Sequence, residues 1–105
     1  MLIVTANTIP GRNIQETIGI VRGSAIRTRH VFADLVEWIR NLVGSELPHY
    51  TKMIAETREQ ALDRMAEDAR KRGANAVICV RLEMSNVARG AAEVLAYGTA
   101  VIVEE

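Results

Sequence analysis

The side chains best suited to metal ligation or nucleophilic chemistry are His30, His49 and Cys79, and they stand far apart in the chain. There is no Cys-x-x-Cys, no His-Glu-x-x-His and no clustered His/Cys spacing, so one chain carries no zinc-type motif. Cys79 lies among aliphatic residues in the middle of an apparent strand, where a free thiol behaves as a small hydrophobe. His30 and His49 fall at helix starts, where local hydrogen bonding or solvent accounts for them. Symmetry changes this weighing, because a ring repeats one residue per chain. Cys79, His49 or Glu93 can then build a site that spacing within one chain never reveals, and Cys79 and His49 stay as candidate metal ligands. Ser24, Ser45 and Ser85 occupy no nucleophile elbow and have no histidine nearby, so no catalytic residues are assigned. The glycines at 11, 19, 23, 44, 73, 90 and 98 form neither a phosphate-binding loop nor a dinucleotide fingerprint.

The arginines are more informative. Of Arg22, Arg27, Arg29 and Arg81, two interrupt apolar strands. Arg81 is expected to pair with Glu83 or Glu93 across a sheet, the alternative being that it projects into a groove of an assembly. The charged residues of Glu56 to Arg72 read as a solvated helix face, and Thr57-Arg58-Glu59-Gln60 is a chance match to a capping box inside that helix.

The chain has 105 residues, the size of one domain with one continuous core. Its 13 basic and 13 acidic residues balance, leaving no excess positive charge to displace counterions from a phosphate backbone. Phe32, Trp38, Tyr50 and Tyr97 are all its aromatics, few platforms for stacking bases. Nucleic acid is therefore not an expected partner. Met1 to Thr5 lacks the basic and long apolar regions of a signal peptide, and no apolar run approaches the roughly 20 residues that cross a bilayer. With one cysteine and no internal disulfide, the expectation is a cytoplasmic protein without a membrane partner.

Leu2 to Thr5 reads as a short strand, and the β-branched residues from Ile14 to Ile26 as a longer one. Gly19 and Gly23 lie two alternations apart on that strand and mark a close approach by a helix or a neighbouring backbone. Phe32, Leu35, Val36, Ile39, Leu42 and Val43 recur at helical spacing and end at Gly44. A second helix starts near Pro48 and runs to Arg72, burying Ile54, Ala61, Leu62, Met65 and Ala69. Glu67/Lys71 and Asp68/Arg72 have favourable four-residue spacing, and Gly73 suits a left-handed cap.

Ala76, Ile78, Val80, Leu82 and Met84 alternate with Val77, Cys79, Arg81, Glu83 and Ser85, predicting a strand with one helix-covered face. Asn86 to Ala92 is short enough for a hairpin, so Glu93 to Val103 returns antiparallel. The result is an α+β domain over residues 1–105, ordered ββααββ, with an antiparallel β-sheet and two helices packed on one face. The last strand is expected between Ile14–Ile26 and Ala74–Ser85. On the other face Val77, Cys79, Leu95, Tyr97, Val101 and Val103 would be exposed beside Arg81 and Glu83, and contact between subunits is the expected cover.

Gly73-Ala74-Asn75-Ala76-Val77-Ile78 and Ala96-Tyr97-Gly98-Thr99-Ala100-Val101 resemble the YbjQ family of small bacterial and archaeal proteins. The resemblance extends through Gly19, Ile39-Arg40-Asn41-Leu42-Val43-Gly44, Tyr50 and Glu59-Gln60-Ala61-Leu62. It implies a subunit similar to dodecin and a homo-oligomeric ring, a homopentamer, whose only expected protein partner is itself. The family also carries a heavy-metal-binding label. Cys79 stands where relatives commonly have glycine or another small residue, so it is not carried over as a family ligand. Gly44-Ser45-Glu46 departs from the usual glycine pair.

The expected function is a non-enzymatic, ring-forming binding module for a small ligand or ion between subunits, lined by Arg22, Tyr50, Arg81 and Tyr97. A heavy-metal-binding or metal-sensing protein, with a metal ion as cofactor, is the alternative. An enzyme with a composite interface site is the third.

Overall fold

The computed structural model describes residues 1–28, 47–88 and 91–104, and side chains within them except at 27–28, 47–54, 86–88 and 91–92. The helix expected over Phe32 to Val43, with His30 and Arg29, lies outside the described residues. Strands β1 (Leu2–Ile3), β2 (Ile14–Thr28), β3 (Ala76–Ala88) and β4 (Ala91–Val103) accompany one described helix, α1 (Leu47–Lys71). The sheet order is β1-β3-β4-β2, which puts the last strand between β2 and β3 as expected. The three long strands are antiparallel neighbours, but β1 pairs with β3 in parallel, so the sheet is mixed rather than antiparallel.

Helix α1 ends where its charges and Gly73 indicate. Gly73 has φ 86°, and its N–H donates to Arg70 O at 3.0 Å while that of Ala74 donates to Ala69 O at 3.0 Å, the paired bonds of a Schellman cap. Asp68 pairs with Arg72 at 3.4 Å, whereas Glu67 meets Arg70 rather than Lys71. Asn75 then continues the sheet with its side chain, accepting from Val103 N–H at 2.8 Å and donating to Val103 O at 2.9 Å.

The core beneath α1 joins Ala61, Met65 and Ala69 to Val21, Ala25, Val77, Val80, Val94, Ala96 and Ala100. Gly23 is the close approach that the glycine spacing anticipates. A Cβ there would collide with the α1 backbone at Met65 N, Ala61 O and Arg64 C. Gly19 differs: nothing lies within 4 Å of its would-be Cβ, and its φ of 142° explains the residue instead.

The expected alternation of β3 fails at Cys79. Ile78 opposes Thr99 and Arg81 opposes Tyr97, so Cys79 and Val80 together face Gly98, a β-bulge with Cys79 at φ 56°. Val80, Leu82 and Met84 consequently share the helix side with Val77, while Ala76 and Ile78 face the other way. A Cβ on Gly98 would meet Val77 Cγ1 at 2.8 Å and Ile78 O at 3.0 Å, so the bulge packs down onto that glycine. On the far face Ala76, Ile78, Val101 and Val103 are buried with Ile9, and Val4 and Cys79 pack against them. The N-terminal segment therefore covers much of the surface assigned above to a subunit contact, and Val77 leaves that face altogether.

Candidate ligand-binding face

What the N-terminal segment leaves open is the part of the far face beyond Ile78. Register places Arg22 opposite Tyr97 and Tyr97 opposite Arg81, one row across β2, β4 and β3. With strands about 4.8 Å apart, the two arginine backbones flank the tyrosine at a separation of about 10 Å. The next row is Ser24, Leu95 and Glu83, followed by Ile26, Glu93 and Ser85. Ile20 and Ile26 are 72% and 52% exposed beside these rows.

Three of the four proposed lining residues thus meet on one face. Tyr50 belongs to α1, but its side chain, like that of His49, is outside the described residues. The expected ion pair of Arg81 with Glu83 or Glu93 is not among the described contacts. Arg81 Nη1 instead donates to Thr5 O at 3.0 Å and to Val80 O at 2.8 Å, because the N-terminal segment and the bulged strand bring two carbonyls within its reach. Glu83 accepts from Tyr97 O–H at 3.2 Å, a diagonal contact across β3 and β4. The guanidinium of Arg22 has no partner among the described residues, although its backbone N–H donates to Asp68 Oδ2 at 3.4 Å.

The Glu83 carboxylate raises the Tyr97 pKa above its usual value, helped by partial desolvation and the Tyr97–Glu83 hydrogen bond, while Arg81 opposes the rise. A raised phenol pKa favours the protonated native state, so this contribution to stability is present below about pH 10 and is lost as pH rises through the native pKa. In a Tyr50→Phe background, tyrosinate absorbance is expected to show Tyr97 ionising above an ordinary tyrosine. Glu83→Gln should bring the titration down and Arg81→Ala should push it further up. An unchanged midpoint in both variants would show that neither charge reaches the phenol.

Cys79 is a free, half-buried thiol in the bulge, and the described residues hold no group of three His, Cys, Asp or Glu suited to a metal ion. Sequence reasoning missed a shallow depression of about 410 Å³ at the other end of the sheet, lined by Met1, Leu2, Arg12, Arg70, Ala74 and Asn75. No local pattern signals it, since only the pairing of β1 with β3 brings its walls together. It also missed Thr5 as a partner of Arg81. No described helix is long and apolar enough to cross a membrane.

Comparison with known proteins places this arrangement. The solved structure of a protein of unknown function from Pediococcus pentosaceus, assigned to the DUF74 family, superposes with a TM-score of 0.64 over 99% of this chain and 98% of its own, at 16% identity. That likeness concerns the fold. A UPF0145 protein of Halobacterium salinarum is 52% identical over 101 residues, covering 96% of this chain and 97% of its own. One from Clostridioides difficile is 51% identical over 105 residues, covering 100% and 94%. Residues 1–104 match the YbjQ family model, described as "Putative heavy-metal-binding". The Gly73–Ile78 and Ala96–Val101 segments, the whole-chain match and relatives at about half identity agree that the chain belongs to the YbjQ family.

Proposed function

We propose that this chain is a cytoplasmic, non-enzymatic binding module that assembles as a ring of dodecin-like subunits and holds a small anionic ligand on the Arg22–Tyr97–Arg81 face. The row itself carries the reading: two exposed arginines stand in register on either side of a tyrosine, and the guanidinium of Arg22 has no partner among the described residues. Charge-assisted hydrogen bonds to an anion are the strongest contacts such a row can offer. Ile20 and Ile26, exposed beside it, suit contact with a neighbouring subunit. A second reading, metal binding, is favoured by the family description. The described residues hold no three-ligand group, and this reading rests on Cys79 or His49 repeated around the ring.

Native mass spectrometry of protein purified without chelator or affinity metal tests both readings. The expected spectrum is a ring, a pentamer, carrying a retained small anion. Arg22→Ala or Arg81→Ala should weaken retention about tenfold or more with assembly intact, since a hydrogen bond to a charged group contributes about 1.5–3 kcal/mol. A retained metal lost on Cys79→Ser or His49→Ala would establish the second reading, and a bare monomer would overturn the assembly.

A further inference from the structure

The shallow depression at the start of β3 is walled by three parts of the chain that lie far apart in sequence. Helix α1 carries Arg70 in its last turn, and the Gly73 cap turns the chain there so that Ala74 and Asn75 follow at once. Strand β1 runs beside β3 with Leu2 opposite Ala76, which brings Met1 and Leu2 to the same end. In the segment that covers the far face, a turn closed by Arg12 N–H to Ile9 O at 3.1 Å, with Gly11 at φ 78°, sends the chain back. Arg70 from the helix layer and Arg12 from the opposite face of the sheet therefore line one depression of about 410 Å³.

Its walls hold more positive charge than they neutralise. The guanidinium of Arg12 has no partner among the described residues, and the Glu104 carboxylate accepts from the neighbouring Asn13 amide, at 3.4 Å. Arg70 meets Glu67 at 3.4 Å through Nη1 alone, with the two side chains 55% and 57% exposed. An exposed pair of this kind holds its arginine weakly, so Arg70 turns to a better acceptor at little cost. The end of α1 does not cancel the two cations. A helix C-terminus carries about half a negative charge, and its last carbonyls, Ala69 O and Arg70 O, are already taken by the N–H groups of Ala74 and Gly73. Asn75 adds a neutral donor, because Nδ2 spends one N–H on Val103 O and its second has no described partner. Over the whole chain 13 basic and 13 acidic residues balance, so this excess is local to the depression.

We infer that this depression is a second ligand site, separate from the Arg22–Tyr97–Arg81 face, and that it takes a small carboxylic acid with a short aliphatic body. Two guanidiniums suit one carboxylate, since each offers N–H groups in the fork geometry that its two oxygens accept. The anion also relieves the mutual repulsion of the two cations. The rest of the wall selects the body of the ligand. Met1, Leu2 and Ala74 are apolar, and Met1 and Leu2 are 43% and 37% exposed. An alkyl chain laid against them removes that surface from water, which a bare inorganic anion does not. Ligand pockets run from about 300 to 1,000 Å³, and this one, at the small end, fits a small acid.

Sodium hexanoate, titrated at constant ionic strength into protein with isotope-labelled methionine methyl groups, tests this by nuclear magnetic resonance. The chain has 4 methionines, whose signals are assigned by leucine substitution at Met53, Met65 and Met84. The Met1 signal should shift saturably with hexanoate while those of Met65, in the core, and Met84, on β3, stay in place. Arg12→Gln and Arg70→Gln should each weaken binding about tenfold or more, and Arg12→Lys by less, because the charge is kept and the fork is lost. Arg22→Ala and Arg81→Ala should leave the titration unchanged, which separates this site from the row across β2, β4 and β3. Acetate, with the same head and no chain, should bind about tenfold more weakly than hexanoate. The absence of a saturable Met1 shift, its persistence in the Arg12→Gln/Arg70→Gln double variant, or acetate or inorganic phosphate binding as tightly as hexanoate would overturn the proposal.

Discussion

Gly23→Ala is expected to destabilise the fold by about 3 kcal/mol or more, a large part of the roughly 5–15 kcal/mol that holds a domain of this size together. The reason is the identity of the atoms that the new methyl meets. They belong to the α1 backbone, at Ala61 O, Arg64 C and Met65 N, and a backbone cannot rotate aside as a side-chain tip can. The helix must lift from β2, which also pulls Arg64, Asp68 and Arg72 away from Ser24, Arg22 and Ile20. In urea, with a slope of about 2 kcal/mol/M, the midpoint should fall by about 1.5 M. Gly19→Ala is the control. It meets no atom within 4 Å, so its cost is confined to the strained backbone and should be about 1 kcal/mol. Equal losses at the two glycines would disprove the close-approach account of Gly23.

Met65→Ala is expected to cost about 3 kcal/mol, within the range for emptying a buried methionine site. Met65 is fully buried and heads the largest such side chains, lying where α1 crosses the sheet among Val21, Ala25 and Val94. Met65→Leu conserves volume and should lose less than about 1.5 kcal/mol. Combining Met65→Ala with Gly23→Ala should bring no rescue, because the methyl of position 23 collides with the backbone of residue 65 and not with its side chain. Recovery of stability in the double variant, measured by urea denaturation, would show that the helix sits further from β2 than described.

The periodic elements were legible because each is written in local chemistry. The aliphatic stripe of Ala61, Met65 and Ala69, the basic residues before Gly73 and the alternation of β4 decide helix, cap and strand within a few residues of themselves. The row of Arg22, Tyr97 and Arg81 was legible in part, since arginines inside apolar strands ask for a polar outlet. Their alignment on one level depends on register between strands far apart in sequence.

Residue type and spacing by themselves pointed to the antiparallel β3–β4 hairpin, the place of β4 between β2 and β3, and the long helix with its glycine cap; that Gly23 and not Gly19 is the seat of that helix was decided by the tertiary structure. Only the tertiary structure decided that Cys79 enters a bulge and turns Val77 to the helix side, that β1 runs parallel to β3, and that Val4 and Ile9 cover the far face. It also decided that Arg81 bonds to Thr5 rather than to a carboxylate. Each of these depends on which backbone lies alongside which. A one-residue bulge reverses every side chain beyond it, and no local pattern in β3 records the glycine of β4 against which that bulge packs.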